Sequence, residues 1–180
     1  MSKNESYFSG EKYNLKAKKL GYRSRAAFKL IDINKKENIL RKNLNIIDLG
    51  SAPGGWSQVV SKELNGTGSI IAIDILDMPK IKDVKFIKSD LREFDQNKLN
   101  QPIDVVISDI APNISGVRFI DDTNMIDLLE IELSIVDKTL VKGGNFLAKC
   151  FEGKTSEYLR NEINKRFKIM KRLKPDSSRK

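Results

Sequence analysis

The chain has 180 residues, of which 39% are hydrophobic and 32% are charged, and this is typical of one domain that buries a sizeable core. It has one cysteine and no histidine, which excludes an internal disulfide, a Cys/His metal site and a Ser-His-Asp hydrolase. Because the sequence has neither a membrane-length apolar run nor an apolar signal region, we expect a cytoplasmic protein with no membrane partner.

The net charge of +9 is unevenly distributed. Residues 1–42 hold twelve Lys and Arg against four acids, residues 160–180 hold nine against two, and residues 43–159 hold twelve against eighteen. Basic ends on an acidic body indicate a surface that binds a polyanion, with nucleic acid as the natural candidate. Lysine-rich ends that only increase solubility are the alternative. We expect a single domain over residues 1–180, with residues 1–42 as its basic N-terminal extension.

Two helices are predicted before the first strand. Residues 1–10 are expected to be disordered, and residues 11–20 are predicted to form a lysine-rich helix. Ser24 is predicted to cap the second helix. The apolar face of this helix consists of Ala27, Phe28, Leu30, Ile31 and Ile33, followed by Ile39 and Leu40.

Five short apolar runs, most of them rich in β-branched residues, alternate with segments of helical length. The runs are residues 44–49, 69–75, 84–87, 103–107 and 145–150. Further helices are predicted over residues 57–64, 123–140 and 156–167, with a helix stop at Lys142-Gly143-Gly144 and a last strand over residues 167–173. This alternation predicts an α/β fold with a mostly parallel, doubly wound sheet.

The segment Asp48-Leu49-Gly50-Ser51-Ala52-Pro53-Gly54-Gly55-Trp56 joins the first predicted strand to a helix. Its glycines allow a tight turn and a close approach of the backbone to a ligand, which the amides of the new helix would face. The spacing differs from the dinucleotide fingerprint and from the Walker loop. It therefore indicates a different adenosine-bearing cofactor, although a glycine-rich turn in any α/β domain would share these features.

Four acids lie at or near the carboxyl ends of the apolar runs, where ligands bind in this class of sheet. They are Asp48, Asp74, Asp90 and Asp109. Asp74 lies 24 residues after Gly50, in the neighbourhood of a carboxylate that accepts ribose hydroxyls. Any one of the four acids could instead cap a following helix.

Three strings together resemble one family. They are GYRSRAAFKL at residues 21–30, DLGSAPGGWS at residues 48–57 and SDIAPN at residues 108–113. They are similar to those of the FtsJ/RrmJ (RlmE) family, S-adenosylmethionine-dependent 2′-O-ribose methyltransferases that act on large-subunit ribosomal RNA. The similarity continues through residues 143–149 and 174–179. The resemblance implies a Rossmann-like methyltransferase fold and S-adenosylmethionine as the cofactor.

The resemblance also implies site residues wherever this sequence matches the family. The implied catalytic residues are Lys29, Asp109 and Lys149, and the implied cofactor contacts are Gly54, Trp56, Asp74, Asp90 and Asp109. Lys149 is the expected base for the 2′-hydroxyl, provided that burial and the cation of Lys29 lower its pKa, and Asp109 is expected to orient it. A solvated helix lysine and a core aromatic are the simpler alternatives for Lys29 and Trp56. No metal is expected to take part.

The family pattern has a fourth catalytic residue, a glutamate, on a strand that follows the string at residues 174–179. This sequence ends at Lys180, so we expect the final strand to be missing, through truncation or loss. Glu152 is close to Lys149 in sequence, but we consider it a poor replacement for the glutamate.

RNA binding is predicted for the basic residues of the first segment, with a second arm near the C-terminus. The first set is Lys16, Lys18, Lys19, Arg23 and Arg25, and the second is Lys171, Arg172 and Lys174. The resemblance implies 23S ribosomal RNA within the large subunit as the partner, methylated at a uridine of the A loop by a monomeric enzyme that assists subunit maturation. A transfer RNA ribose methyltransferase and a catalytically impaired RNA-binding relative are the alternatives.

Overall fold

The structure is a computed structural model and describes residues 3–99, 101–175, 177 and 178. Its strands are β1 (Asn45–Leu49), β2 (Ser69–Asp74), β3 (Lys85–Lys88), β4 (Ile103–Ser108) and β5 (Leu140–Ala148). Its helices are α1 (Lys3–Lys19), α2 (Ala26–Glu37), α3 (Gly55–Leu64), α4 (Arg118–Thr139) and α5 (Lys154–Arg166), with a 3₁₀ turn at Gln96–Lys98. The strands form one sheet in the order β3-β2-β1-β4-β5, and all neighbouring strands are parallel.

Helices cover both faces of the sheet. Ile46 of β1 and Val105 of β4 pack with α2 and α3 on one face, whereas Ile47 and Val106 pack with α4 on the other face. Successive residues of a strand point to opposite faces, so a strand that is covered on both sides needs apolar residues throughout. This requirement explains the continuous apolar runs, and the predicted doubly wound α/β fold is confirmed.

The strand order reverses between β1 and β4. From β1 the chain winds outward to β2 and β3, and it then returns to place β4 and β5 on the other side of β1. In open sheets of this kind a crevice forms where the order reverses, outside the carboxyl ends of the strands. The turn after β1 and the loop after β4 therefore meet at the position where a ligand is expected.

The expected disorder over residues 1–10 is wrong for residues 3–10, which belong to α1. Residues 1 and 2 lie outside the described residues. The predicted helix over residues 11–20 is present and extends in the N-terminal direction. Because adding residues to an existing helix is much easier than nucleating one, a formed helix can propagate into the polar residues before it.

The predicted cap of α2 is also wrong. The residue at the N-cap position is Arg25, and it makes no side-chain capping hydrogen bond. Ser24 instead faces the turn between β1 and α3 (residues 50–54, the cofactor turn), where a Cβ on Gly55 would lie 2.2 Å from its Oγ. Close packing between this serine and α3 therefore replaces the capping hydrogen bond.

Strand β5 begins earlier than the predicted run at residues 145–150. It starts at Leu140, immediately after α4, and contains the Lys142-Gly143-Gly144 segment that was expected only to stop the helix. The pairing register between β4 and β5 shifts in this region. A Cβ on Gly144 would lie 2.8 Å from the backbone oxygen of Asp104, so the shifted register requires a glycine there.

The last strand predicted over residues 167–173 is wrong, because residues 168–175 lie in no strand. Phe167 stacks on Phe146 of β5, with ring centroids 6.4 Å apart. This aromatic contact places the segment beside the sheet without a backbone ladder. In the described part of the chain β5 is an edge strand of the sheet. No helix within the described ranges is long and apolar enough to cross a membrane.

Candidate active site

The turn between β1 and α3 has the backbone shape of a ligand cradle. Gly54 is the N-cap residue of α3 and has a φ of 106°, which lies in the left-handed region that side chains disfavour. Gly54 has no side chain and therefore provides no side-chain cap for the first turn of α3. The amides at this helix start are therefore available to a polar ligand, and the helix dipole adds positive potential there.

The same turn lies directly against the loop that follows β4. Gly50 has a φ of 66°, and a Cβ at this position would lie 2.0 Å from Cγ1 of Ile110. Since Ile110 is adjacent to Asp109, glycine at position 50 brings the cofactor turn and the predicted catalytic acid together. A larger residue at position 50 would push these two loops apart.

Asp74 ends β2 and holds the cofactor turn in place. Its Oδ2 accepts a hydrogen bond from the Ala52 amide at 2.8 Å, and its Oδ1 accepts one from the Leu76 amide at 2.8 Å. The side chain is buried. These two hydrogen bonds determine the shape of the turn. Each carboxylate oxygen keeps a second acceptor site, which is available for the ribose hydroxyls that Asp74 is predicted to bind.

One buried polar atom in this turn has no partner within the described part of the chain. It is Oγ of Ser51, which lies between Gly50 and Ala52. Buried hydroxyls are almost always hydrogen-bonded in folded proteins. The orphaned hydroxyl, the uncapped helix start and the Cβ-free positions together fit a polar, adenosine-bearing cofactor.

The other two acids of the sheet edge have structural contacts. Asp48 is buried and accepts a 2.5 Å hydrogen bond from Oγ of Ser57, which ties β1 to α3. Burial raises the pKa of Asp48 to about 7. Asp90 accepts a hydrogen bond from the Arg92 amide at 2.9 Å, and its partly exposed carboxylate faces solvent beside β3.

Trp56 lies in the core, in line with the simpler alternative for this residue. It is buried with α2 and α3 residues, and its indole Nε1 donates to the backbone oxygen of Ala26 at 2.8 Å. The side chain therefore fixes α2 against α3.

The structure brings the three predicted catalytic residues together. Nζ of Lys29, on α2, lies 3.0 Å from Oδ1 and 3.2 Å from Oδ2 of Asp109. Nζ of Lys149, which follows β5, lies 3.3 Å from Oδ1 of Asp109 and donates to the backbone oxygen of Asp109 at 2.6 Å. One carboxylate therefore holds two lysines at the carboxyl end of the sheet.

The environment of Lys149 weakens the preference of its amine for the protonated form. Burial lowers the pKa of Lys149 below its ordinary value, and the cation of Lys29 lowers it further, whereas the carboxylate of Asp109 raises it. The net direction is downward because desolvation is the largest effect. A lysine with a lowered pKa beside a cleft is a candidate general base.

The predicted RNA-binding residues of the first segment differ in exposure and in their contacts. Lys18 and Lys19 are exposed at the end of α1, and exposed Lys16 also contacts the Phe28 ring at 4.9 Å. Arg23 is different, because its guanidinium donates to the backbone oxygens of Pro53, Pro79 and Lys80. This arginine joins the cofactor turn to a neighbouring loop. Arg25 lies at the N-cap of α2 and is half-buried.

The C-terminal arm is partly neutralised by acids. Lys171 pairs with Glu37 at 2.5 Å, and Arg172 pairs with Glu152, while Lys174 is exposed. Glu152 is itself largely exposed and paired with Arg172, so its position gives no support to a catalytic role.

A groove runs between β5 and residues 168–175, and the Lys29, Asp109 and Lys149 cluster lines it.

A buried acid that was not predicted from the sequence lies beneath this cluster. Glu132 of α4 is fully buried and accepts a hydrogen bond from Oγ of Ser108 at 2.7 Å. Its spacing from Met125 and Leu129, which are buried core residues, was the available signal, since a charged residue at a core-facing helix position is unusual. The described residues contain no group of three or more acids or cysteines arranged to bind a metal ion.

A parallel sheet with this strand order, a glycine turn that opens α3 and an acid that ends β2 define the class of Rossmann-like methyltransferases. The chain belongs to the FtsJ-like methyltransferase family, which matches residues 22–180. Its methyl donor is S-adenosylmethionine, in agreement with the cofactor expected from the sequence.

The relatives have a common name. A Pseudomonas fluorescens protein named ribosomal RNA large subunit methyltransferase E is 42% identical over 173 residues, which are 93% of this chain and 83% of that protein. A Francisella philomiragia protein with the same name is 43% identical over 173 residues, which are 93% of this chain and 84% of that protein.

Solved structures share the fold. A Plasmodium falciparum protein described as a ribosomal RNA methyltransferase is 29% identical, with a TM-score of 0.79 over 87% of this chain and 93% of that chain. Aeropyrum pernix fibrillarin, solved with bound S-adenosylmethionine, is 20% identical, with a TM-score of 0.55 over 79% of this chain and 63% of that chain. The fibrillarin comparison supports the fold alone.

Proposed function

We propose that the protein transfers a methyl group from S-adenosylmethionine to a ribose 2′-hydroxyl of large-subunit ribosomal RNA, at a uridine in the A loop of 23S RNA. It acts as a cytoplasmic monomer during maturation of the large subunit. The observation that carries this proposal is the Asp109 carboxylate, which contacts both Lys29 and Lys149 beside the cofactor turn. The names of the curated relatives support ribosomal RNA as the substrate class.

In this proposal residues 1–180 form one methyltransferase domain, with residues 1–42 as its basic extension. The donor is held by Gly54, the backbone of Trp56, Asp74 and Asp90, with Asp109 at the boundary between the cofactor and the RNA. When bound, S-adenosylmethionine supplies a methyl group on a positively charged sulfur, so the protein's own task is to position a hydroxyl and take up its proton.

Lys149 is the proposed general base. A ribose hydroxyl is a poor nucleophile until its proton is removed or shared, and a neutral amine close to the hydroxyl can accept that proton. Burial and the nearby Lys29 cation lower the pKa of Lys149, which increases the neutral fraction near physiological pH. The Asp109 backbone oxygen, at 2.6 Å from Nζ, fixes the direction of the amine.

Positioning is expected to contribute more than proton transfer. Well-oriented reactants gain roughly 7 to 11 kcal/mol over the free reaction, whereas general base catalysis typically contributes about 3 to 5 kcal/mol. Asp109 serves the first effect, since its carboxylate holds side chains from α2 and from the end of β5 in one place.

Replacement of Asp74 by asparagine is expected to weaken S-adenosylmethionine binding by about tenfold to a hundredfold. A hydrogen bond to a charged group contributes roughly 1.5 to 3 kcal/mol. Asparagine keeps the size of the side chain but removes the charge and one of the two acceptors that hold the turn. Calorimetric titration with S-adenosylmethionine measures the change. Asp77→Asn is the matched control, because the Asp77 side chain is 85% exposed. Unchanged affinity in Asp74→Asn, with an unchanged melting temperature, would contradict the ribose role.

The proposed RNA surface consists of Lys16, Lys18 and Lys19 with Arg25, on the α1 and α2 side of the groove, and Lys174 on the other side. Arg23 is left out, because its guanidinium donates to three backbone oxygens. A folded RNA with a splayed nucleotide would present its 2′-hydroxyl between these positive groups. Free short oligonucleotides are accordingly expected to be poor substrates.

RNA affinity is expected to fall steeply with salt, because each phosphate contact releases a counterion and adds about 0.7 to 0.9 to the slope of log K against log salt. The double variant Lys18→Ala/Lys19→Ala should lower the slope by roughly one to two. Lys138→Ala, an exposed lysine near the end of α4, should leave it unchanged. Filter binding to large-subunit RNA between low and physiological salt gives these slopes, and equal slopes for all three proteins would refute the proposed surface.

The proposed activity is tested with the purified chain, labelled S-adenosylmethionine and large subunits that lack the modification. The RNA is digested to nucleosides, and 2′-O-methyluridine is identified by mass spectrometry after the A loop has been isolated. Transfer RNA is offered in parallel. Methylation of a base, or of transfer RNA in preference to the subunit, would reject the proposal.

A further inference from the structure

Glu132 is an acid in the middle of an apolar helix face. Met125, Leu129 and Val136 of α4 are buried on the same side, against the sheet. Glu132 itself has no exposed surface, and burial raises its pKa to about 8. Its carboxyl is therefore mostly protonated at neutral pH, which avoids the large free energy that a buried charge would cost.

A short chain of hydrogen bonds leads from this carboxyl to the loop that carries Asp109. The Ser108 hydroxyl, which is also fully buried, donates to Oε1 of Glu132 at 2.7 Å. The same hydroxyl accepts a hydrogen bond from the Ile110 amide at 3.3 Å. Glu132 thereby orients Ser108, and Ser108 in turn restrains the backbone on the far side of Asp109.

The backbone of Ser108 also holds the other half of the cluster. Its oxygen accepts a hydrogen bond from the Lys149 amide at 3.0 Å. The next backbone oxygen, that of Asp109, accepts the 2.6 Å hydrogen bond from Nζ of Lys149. A displacement of residues 108–110 would therefore change the position of Lys149 and of the Asp109 carboxylate together.

We propose that Glu132 is a positioning residue for the methyl transfer, which acts through Ser108 to fix Asp109 and Lys149 relative to each other. This inference rests on the proposed function. A buried polar pair can usually be replaced by apolar groups at little cost in stability. The value of this pair lies in geometry, because a displacement of about 1 Å in a catalytic group can lower a rate a hundredfold.

Three variants of the pair test the inference. Glu132→Gln keeps a neutral oxygen acceptor for Ser108 and is expected to retain kcat within about twofold. Glu132→Met keeps the side-chain length without an acceptor, and we expect kcat to fall about tenfold, because residues 108–110 lose one restraint and the catalytic groups are displaced by less than the roughly 1 Å that lowers a rate a hundredfold. The KM values for donor and RNA should stay unchanged. The double variant Ser108→Ala/Glu132→Met should lose no more than the larger single loss, since both changes break one connection.

Stability separates positioning from a simple core role. Glu132→Met leaves the buried Ser108 hydroxyl without its acceptor and should lower the melting temperature. The double variant also removes this hydroxyl, so its melting temperature should return towards that of the wild type. If kcat recovers together with the melting temperature in the double variant, Glu132 is only a packing residue and the inference is overturned. If kcat stays low, the inference is supported.

A readout that needs no RNA keeps this test separate from the proposed function. At pH 6.5, the ¹⁵Nζ resonance of Lys149 in lysine-labelled protein should be the same in wild type and Glu132→Gln, and should shift in the double variant. The absence of RNA methylation by the wild type would reject the proposed function alone. An unchanged Lys149 resonance in the double variant would reject the positioning role.

Discussion

Lys149→Met is expected to lower kcat for methyl transfer by at least about a thousandfold while it leaves donor and RNA affinity nearly intact. Methionine has a similar length and fills the same half-buried space, but it cannot accept a proton. General base catalysis contributes a hundredfold to ten-thousandfold, and we place Lys149 in the upper part of this range because the amine also contacts Asp109. An interaction that operates only in the transition state changes kcat without changing binding.

Single-turnover methylation with saturating RNA measures the rate of methyl transfer, and calorimetry measures the affinity for S-adenosylmethionine. Lys142→Met is the matched control, because Lys142 is exposed near the amino end of β5, the strand that Lys149 directly follows. Near-normal turnover in Lys149→Met would eliminate the lysine base and leave positioning as the whole of catalysis.

Four of the five strands could be predicted closely from sequence. The four runs that became β1, β2, β3 and β4 begin and end within one residue of the observed bounds. Strands covered by helices on both faces must be apolar throughout, so their ends are marked by the first polar residues. Local sequence therefore contains nearly all the information that defines these strands.

Other elements depend on contacts that local sequence does not show. The start of β5 depends on a register shift beside Asp104, which tolerates only a glycine at position 144. Residues 167–173 look like a strand because they are partly apolar, yet Phe167 is held by a ring contact and not by a ladder. Pattern analysis detects burial, but it does not identify the partner that provides it.

In the candidate site, too, some features could be predicted from the sequence and others could not. The positions of Lys29, Asp109 and Lys149 were implied by family resemblance. The convergence of Asp109 and Lys149 follows from the strand order, because β4 and β5 are neighbours, whereas Lys29 reaches them from α2, which packs on one face of the sheet. The structural role of Arg23, which joins the cofactor turn to a neighbouring loop, could not be predicted, because its three hydrogen-bond acceptors are backbone oxygens. Backbone acceptors leave no signature in a sequence.

The sequence also does not show which of the two acids Glu130 and Glu132 is buried. The string Leu129-Glu130-Ile131-Glu132-Leu133 contains two acids, and only the docking of α4 on the sheet determines which of them is buried. Glu130 is exposed, and its carboxylate accepts a hydrogen bond from Tyr158, whereas Glu132 faces Ser108. Helix periodicity alone gives a face that is several residues wide.

Lys29→Met is expected to lower kcat at neutral pH by about a hundredfold, the lower limit for a lost acid–base contribution. The cation of Lys29 lowers the pKa of Lys149, whereas the Asp109 carboxylate raises it. Without Lys29, the repulsion between the two cations is lost and Asp109 serves Lys149 alone. Both changes stabilise the protonated form of Lys149, so its pKa rises and a smaller neutral fraction is available at a given pH.

The rising limb of the pH–rate profile should therefore move to higher pH in Lys29→Met, with part of the lost rate recovered at alkaline pH. Single-turnover rates between pH 6 and 10 at saturating donor and RNA give the midpoint, and Lys35→Met, an exposed lysine on the same helix, is the control that should keep the wild-type midpoint. A rate that falls equally at every pH would show that Lys29 only orients Asp109. A midpoint that moves to lower pH would contradict the electrostatic role assigned to Lys29, since removal of a neighbouring cation cannot favour loss of the proton from Lys149.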